Sequence, residues 1–206
     1  MAQVILASQS KARISMLENA GLSVKAFPAF IDEDAIKQAL RAEKASTARA
    51  AELLAELKAQ KIVRAIGSDP AMAEESVFVI GADQMLVCGD VWFDKPPDMD
   101  HAAAQLTALS GKTHQLVSSV VVFKDGERIW HHTDKATLAM RALSPEFIET
   151  YLTRCGKGVL GSVGAYHLEG LGAQLFNAVE GDFFTVLGMP LLPLLNILRT
   201  HGVMKS

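Results

Sequence analysis

The sequence predicts an α/β fold with a mixed sheet. Three observations carry that expectation. Short β-branched runs alternate with Ala- and Leu-rich stretches of helical period along the whole chain. A hairpin signal, Asp125-Gly126, joins two of the strand-like runs. No internal repeat, low-complexity segment or long linker interrupts the pattern.

Gln3–Ala7 (QVILA) reads as a buried strand. After the polar turn Ser8-Gln9-Ser10, an amphipathic helix carrying Ile14, Met16 and Leu17 runs to Ala20, with Gly21 at C′. Strand, turn and helix N-terminus together make a corner whose backbone N–H groups suit an anion. From about residue 35 to about residue 65 the chain is Ala-rich, and Leu40, Leu53, Leu54, Leu57 and Ile62 mark one or two long helices. Gly67-Ser68-Asp69-Pro70 is a loop. Val77–Ala82 (VFVIGA) is a buried strand with Asp83 at its end. Met85–Cys88 continues it or returns as a second strand, with Gly89-Asp90 as the turn. Pro96-Pro97 precedes a helix from Met99 to Leu109, and Val117–Phe123 and Arg128–Met140 are the two strands of the hairpin. Ser144 and Pro145 provide the N-cap and N1 of another helix. Glycines concentrate between Gly156 and Gly188, which implies loops and tight turns around short strands. Gly188-Met189-Pro190 then opens a leucine-rich terminal helix.

The 206 residues are 50% hydrophobic and 21% charged, enough to bury a core without disulfides or a structural metal. That apolar fraction and a net charge of −3 exclude intrinsic disorder. The 20 basic and 23 acidic residues provide no bulk attraction to nucleic acid or an anionic membrane, so an anionic ligand must be held locally. Cys88 and Cys155 form no CxxC pair and read as reduced thiols of a cytosolic protein. The opening MAQVILASQS lacks the basic region and long apolar core of a secretory signal. No stretch approaches the ~18 consecutive apolar residues of a membrane span, so the cytoplasm is the expected location.

Several constellations carry polar chemistry. Ser8, Ser10, Lys11 and Arg13 place two hydroxyls and two cations where a strand feeds a helix. They suit a polyphosphate cradle with Arg13 as a fork; plain N-capping with a solvated basic face is the alternative. In Gly81-Ala82-Asp83-Gln84 an acid directly follows a buried strand, and an unpaired buried carboxylate is costly. Asp83 suits a general base on water or a Mg²⁺ ligand, with an Asx turn closing the strand as the alternative. Lys95, in Asp94-Lys95-Pro96, is a point charge for a phosphate or an ordinary surface lysine. Ser110-Gly111-Lys112-Thr113-His114 is not a P-loop, because the required earlier glycine is Leu106 and a strand follows; a polar turn with some ligand contact remains. Gly164–Gly172 lacks the third glycine of a dinucleotide fingerprint, which is Leu175 here, and sets Glu169 among glycines that permit close backbone approach. The histidines show no zinc-binding spacing, and the adjacent His131 and His132 would face opposite sides of a strand. Asp32-Glu33-Asp34 is a solvated loop or a source of oxygen ligands for a hard cation.

Taken in order, these motifs resemble the Maf-like nucleoside triphosphate pyrophosphatases over nearly the whole chain. The resemblance runs through Ile5–Arg13 (ILASQSKAR), Gly81-Ala82-Asp83, Asp94-Lys95-Pro96, Leu109–His114, Gly164–Gly172, and Glu180-Gly181-Asp182 through Gly188-Met189-Pro190. It implies a single domain over residues 1–206, with an elongated mixed sheet, two lobes around a cleft, and kinship to inosine-triphosphate pyrophosphatases. It also implies hydrolysis between the α and β phosphates of a nucleoside triphosphate, giving monophosphate and pyrophosphate with Mg²⁺ or Mn²⁺ bound. By position, Asp83 is the proton acceptor for water, and Glu33 and Asp83 hold metal. Ser8, Arg13, Lys58 and Lys95 match positions that face the triphosphate. The resemblance, with the leucine-rich Leu191–Leu198 segment, suggests a homodimer.

Two departures bear on substrate choice: Lys11-Ala12 replaces the usual Pro-Arg, and Ser162-Val163 replaces a frequent Asp-Lys. Gln84 and Glu169 resemble the 7-methyl-GTP-directed branch. A carboxylate accepts well from the N1–H and N2–H₂ edge of guanine, whereas uracil and thymine suit glutamine. The alternatives are a dTTP- or UTP-directed pyrophosphatase and a nucleotide-binding regulator without turnover. A nucleic-acid binder is disfavoured, for lack of a basic, aromatic-rich stripe.

Overall fold

A computed structural model describes residues 2–67 and 76–205. The loop expected over Gly67–Pro70 lies, beyond Gly67, outside the described residues. In chain order the elements are β1 (Gln3–Leu6), α1 (Lys11–Asn19), β2 (Val24–Ala26), α2 (Glu33–Ala42), α3 (Thr47–Ile66), β3 (Val77–Cys88) and β4 (Val91–Phe93). Then follow α4 (Met99–Leu109), β5 (Thr113–Lys124), β6 (Glu127–Met140), α5 (Pro145–Cys155), β7 (Phe176–Glu180), α6 (Phe183–Val186) and α7 (Leu191–Thr200). The strands form one mixed sheet in the order β2-β1-β3-β5-β6-β7, with β4 paired to β3. β1 runs parallel to both β2 and β3, with Val4 opposite Val24 and Phe78. β4 runs antiparallel to β3 and β7 antiparallel to β6.

Local chemistry explains most boundaries. The Ser10 side chain accepts from Arg13 N to cap α1, and Ser144 does the same for α5 from Phe147 N. Between β5 and β6, Asp125 (φ 50°) and Gly126 (φ 90°) both adopt left-handed backbone, as a two-residue hairpin turn of the I′ type requires. The Asp125 carboxylate also accepts from Val77 N at 2.8 Å.

Four expectations change, and one open choice is settled. Of the two courses left open for Met85–Cys88, the strand continues: β3 runs on to Cys88, so Asp83 sits within it rather than at its end. The acidic run is not a loop, because Asp32 caps α2 by accepting from Ala35 N, and Glu33 and Asp34 form its first turn. β2 and β4 were not anticipated; at three residues each they are too short to show alternation. Thr113 and His114 belong to β5 rather than to the preceding turn. The buried face of α3 is Ala50, Ala51, Leu54, Ala55, Ala59 and Ile62, so small side chains, more than leucines, line it.

The chain forms two compact units. One comprises the chain up to Gln84, Ser118–Asp134 and the chain from Gly188 onward; the other comprises Met85–Val117 and Lys135–Leu187. The core of the first includes Ile5, Ala7, Ala55, Ala59, Val79 and Val121. Leu86, Leu106, Leu116, Leu138, Ile148 and Leu175 belong to the core of the second. Between Gly156 and Leu175 the second unit carries three 3₁₀ turns, at Gly156–Gly161, Val163–Ala165 and Leu171–Leu175. Helix α7 buries Leu191, Leu194, Leu195 and Leu198 and exposes Leu192. Its leucine content therefore reflects core packing. No helix among the described residues is long and apolar enough to cross a membrane.

Candidate active site

In the first unit, α3 approaches β3 very closely at Gly81. A Cβ placed there would lie 2.0 Å from the Ala55 carbonyl oxygen and 2.9 Å from Ala59 Cβ. Only glycine permits that approach. It brings Lys58, next to Ala59 on α3, onto Asp83, two residues beyond Gly81: Lys58 Nζ donates to Asp83 Oδ1 at 2.5 Å. The same ammonium pairs with Glu33 Oε1 at 2.7 Å. One lysine therefore bridges two carboxylates contributed by a strand and a helix start.

Burial is graded across this bridge. The side chains of Asp83 and Lys58 are 7% and 12% exposed, whereas that of Glu33 is 38% exposed. The inner pair is therefore the less screened by water, and removing either partner would leave a nearly buried charge.

The β1–α1 corner adds donors. Ser8 is buried, and its hydroxyl accepts from Ser10 N at 3.2 Å and from Arg13 Nη1 at 3.4 Å. Arg13 Nε donates to the Gly188 carbonyl at 2.9 Å. Gly188 has φ +107°, and a Cβ there would come within 3.3 Å of the guanidinium. Burial of the guanidinium lowers the Arg13 pKa, against the opposing pull of Asp83 and Glu33. Ser8, Arg13, Glu33, Lys58 and Asp83 thus form one electrostatic cluster within one unit.

The remaining candidates are Gln84, Lys95 and Glu169. Alternation along β3 turns Gln84 to the face opposite Asp83, and its Nε2 donates to Ser118 Oγ at 3.0 Å. Lys95 and Glu169 belong to the second unit. Lys95 is exposed just after β4, and Glu169 Oε1 lies 3.8 Å from His167 Nδ1.

Sequence reasoning missed three residues. Lys37, one turn along α2, lies 3.5 Å from Glu33 Oε2; the only sequence signal is the i,i+4 spacing. Gln105 ties two of the motifs in the second unit, donating to Asp94 O at 2.8 Å and accepting from Gly164 N at 3.2 Å. Tyr166 joins a third, its hydroxyl 2.8 Å from His114 Nε2. Burial pushes the His114 pKa down to about 4 and raises that of Tyr166, so both are neutral in this contact. The His114 ring is buried against those of Tyr166 and Phe176.

Among the described residues no three or more His, Cys, Asp or Glu side chains gather as a metal cage. Asp83 and Glu33 are nevertheless two hard oxygen donors facing one cation. Such a pair suits Mg²⁺, which commonly takes one or two carboxylates and completes its shell with phosphates and water. The cluster as a whole can hold an anion on a guanidinium, an ammonium and a hydroxyl, with a carboxylate beside them as a proton acceptor.

A family profile described as Maf-like protein matches residues 3–201. A nucleoside triphosphate pyrophosphatase of Paramagnetospirillum magneticum is 54% identical over 198 residues, 96% of this chain and 98% of the relative. One of Granulibacter bethesdensis is 52% identical over 199 residues, 97% of each chain. A 7-methyl-GTP pyrophosphatase of Mesorhizobium japonicum is 46% identical over 204 residues, 99% of this chain and 98% of the relative.

Proposed function

The chain belongs to the Maf-like protein family, and on that premise we propose that it is a nucleoside triphosphate pyrophosphatase. The observation that supports this best is Lys58 bridging Asp83 and Glu33, with Arg13 and Ser8 in the same cluster. A triphosphate brings about four negative charges, which preorganised cations offset without reorganisation cost at the moment of reaction. Arg13 supplies a fork for phosphate oxygens, Lys58 a point charge and Ser8 a hydroxyl. Asp83 accepts the proton of the attacking water. The water oxygen bonds to phosphorus, the bridging P–O bond between α and β breaks, and pyrophosphate leaves with the electron pair. In the free chain Lys58 covers Asp83 Oδ1. Incoming phosphate gives that ammonium a competing anion and frees the carboxylate for water. Asp83 and Glu33 would hold Mg²⁺ or Mn²⁺, whose charge would further neutralise the phosphate oxygens.

We assign the base preference to a guanine-type nucleotide such as 7-methyl-GTP. Relatives bearing that activity in their names support this, as does Glu169, whose carboxylate matches the donor edge of guanine. For contact of Lys95 and Glu169 with substrate the support is the motif match. A homodimer in the cytoplasm that clears surplus or modified nucleotides completes the proposal. The alternatives are a dTTP- or UTP-directed enzyme and a regulator without turnover. Product analysis with GTP, 7-methyl-GTP, UTP and dTTP, each with Mg²⁺ and with Mn²⁺, separates them. Pyrophosphate release, fastest with the guanine bases, is expected. Release fastest with UTP or dTTP would favour the first alternative, and nucleotide binding without product the second.

A further inference from the structure

Lys37 plays no part in the chemistry above, yet its placement is unusual. It is the only lysine in the buried class among the described residues, at 7% exposure, and it shares the inner face of α2 with Leu40. Burying an ammonium is costly, and an exposed i,i+4 ion pair returns only a small fraction of that cost. Support of the helix by a Glu33–Lys37 pair therefore does not account for the burial.

The geometry around Glu33 gives the buried ammonium a further use. Its two oxygens face two different lysines, Lys58 at 2.7 Å on Oε1 and Lys37 at 3.5 Å on Oε2. Lys58 in turn lies on Asp83. Among Arg13, Lys37, Lys58, Glu33 and Asp83, three cations stand against two carboxylates, so loss of Lys37 would take these five from net positive to neutral. If Lys58 moves onto a phosphate, Lys37 is a cation already paired with the other oxygen of Glu33.

We propose that Lys37 is a positioning residue: it holds Glu33 by its second oxygen, so that Glu33 stays compensated and in place when Lys58 leaves Asp83 for the substrate. This rests on the triphosphate reading above. The test is a double-mutant cycle with Lys37→Met, Glu33→Gln and the pair, with Lys37→Arg as a charge-preserving rescue. Each variant is measured for pyrophosphate release and for affinity toward inorganic triphosphate, with a urea midpoint to confirm folding. Lys37→Gln runs alongside, so that the cycle can be completed if methionine destabilises the fold. Lys37→Met should lower kcat/KM and triphosphate affinity about tenfold in the wild-type background and less than about twofold beside Glu33→Gln. Lys37→Arg should recover most of the loss. Equal losses in both backgrounds, or no rescue by arginine, would overturn the inference. If the wild-type chain releases no pyrophosphate from any triphosphate, the hydrolysis reading falls, and the affinity cycle alone decides the role of Lys37.

Discussion

Replacing Gly81 by alanine should separate α3 from β3 and loosen the pair that the contact creates. The added methyl carbon would lie 2.0 Å from the Ala55 carbonyl oxygen and 2.9 Å from Ala59 Cβ. Neither atom is the end of a flexible side chain, so relief requires a shift of the helix itself. Overpacking of this kind costs about 1–3 kcal/mol, and a clash with backbone belongs at the upper end. At about 2–4 °C per kcal/mol for a chain of this size, Tm should fall by roughly 6–12 °C. Because Lys58 rides on the same helix, kcat measured well below Tm should fall further than the folded fraction does. Gly89→Ala is the control: its φ is +59° and nothing lies within 4 Å, so only the left-handed backbone resists, at about 1–2 kcal/mol. Urea titrations of both variants with matched m-values supply the comparison. A Gly81→Ala variant within about 0.5 kcal/mol of wild type, or no more costly than Gly89→Ala, would refute the packing argument.

Other outcomes follow from the same structure. Lys58→Met leaves Asp83 nearly buried without its cation and should destabilise the fold by about 3 kcal/mol; adding Asp83→Asn should recover much of that loss in urea melts. His114 is depressed to about 4 in the folded chain, so the unfolded chain binds its proton first as pH falls. Its contribution is fully present above about pH 6.5 and is lost as pH falls toward 4, by about 3 kcal/mol. Wild-type stability should therefore drop more steeply than that of His114→Gln across that window, and parallel curves would exclude His114 as the cause. Glu169→Gln should shift the kcat/KM ratio of 7-methyl-GTP to UTP toward UTP, and an unchanged ratio would remove Glu169 from base recognition.

Much of this was legible from residue order. Ser10 and Ser144 announced their helices because an N-cap is a local device, and Asp125-Gly126 announced its hairpin for the same reason. That Asp83 needs a partner was legible, because a carboxylate is expensive beside the run VFVIGA. Its partner was not, since the compensating Lys58 lies 25 residues away in sequence. Lys37 resembles any solvated lysine of an amphipathic helix until tertiary packing buries it. Gln105 and Tyr166 act through contacts 59 and 52 residues apart, and no local pattern encodes those. Leucine content alone does not say which chain covers it: within this chain α7 buries Leu191, Leu194, Leu195 and Leu198 and leaves Leu192 exposed.

In the proposed hydrolysis of the α–β phosphoanhydride, Asp83 accepts the proton of the attacking water. Product analysis of one guanine triphosphate, with wild type and Asp83→Asn side by side, decides this. Wild type should yield monophosphate and pyrophosphate. Asp83→Asn should still bind the nucleotide and turn it over at least ~10²-fold more slowly. Diphosphate and inorganic phosphate as products, or near-normal turnover by Asp83→Asn, would contradict it.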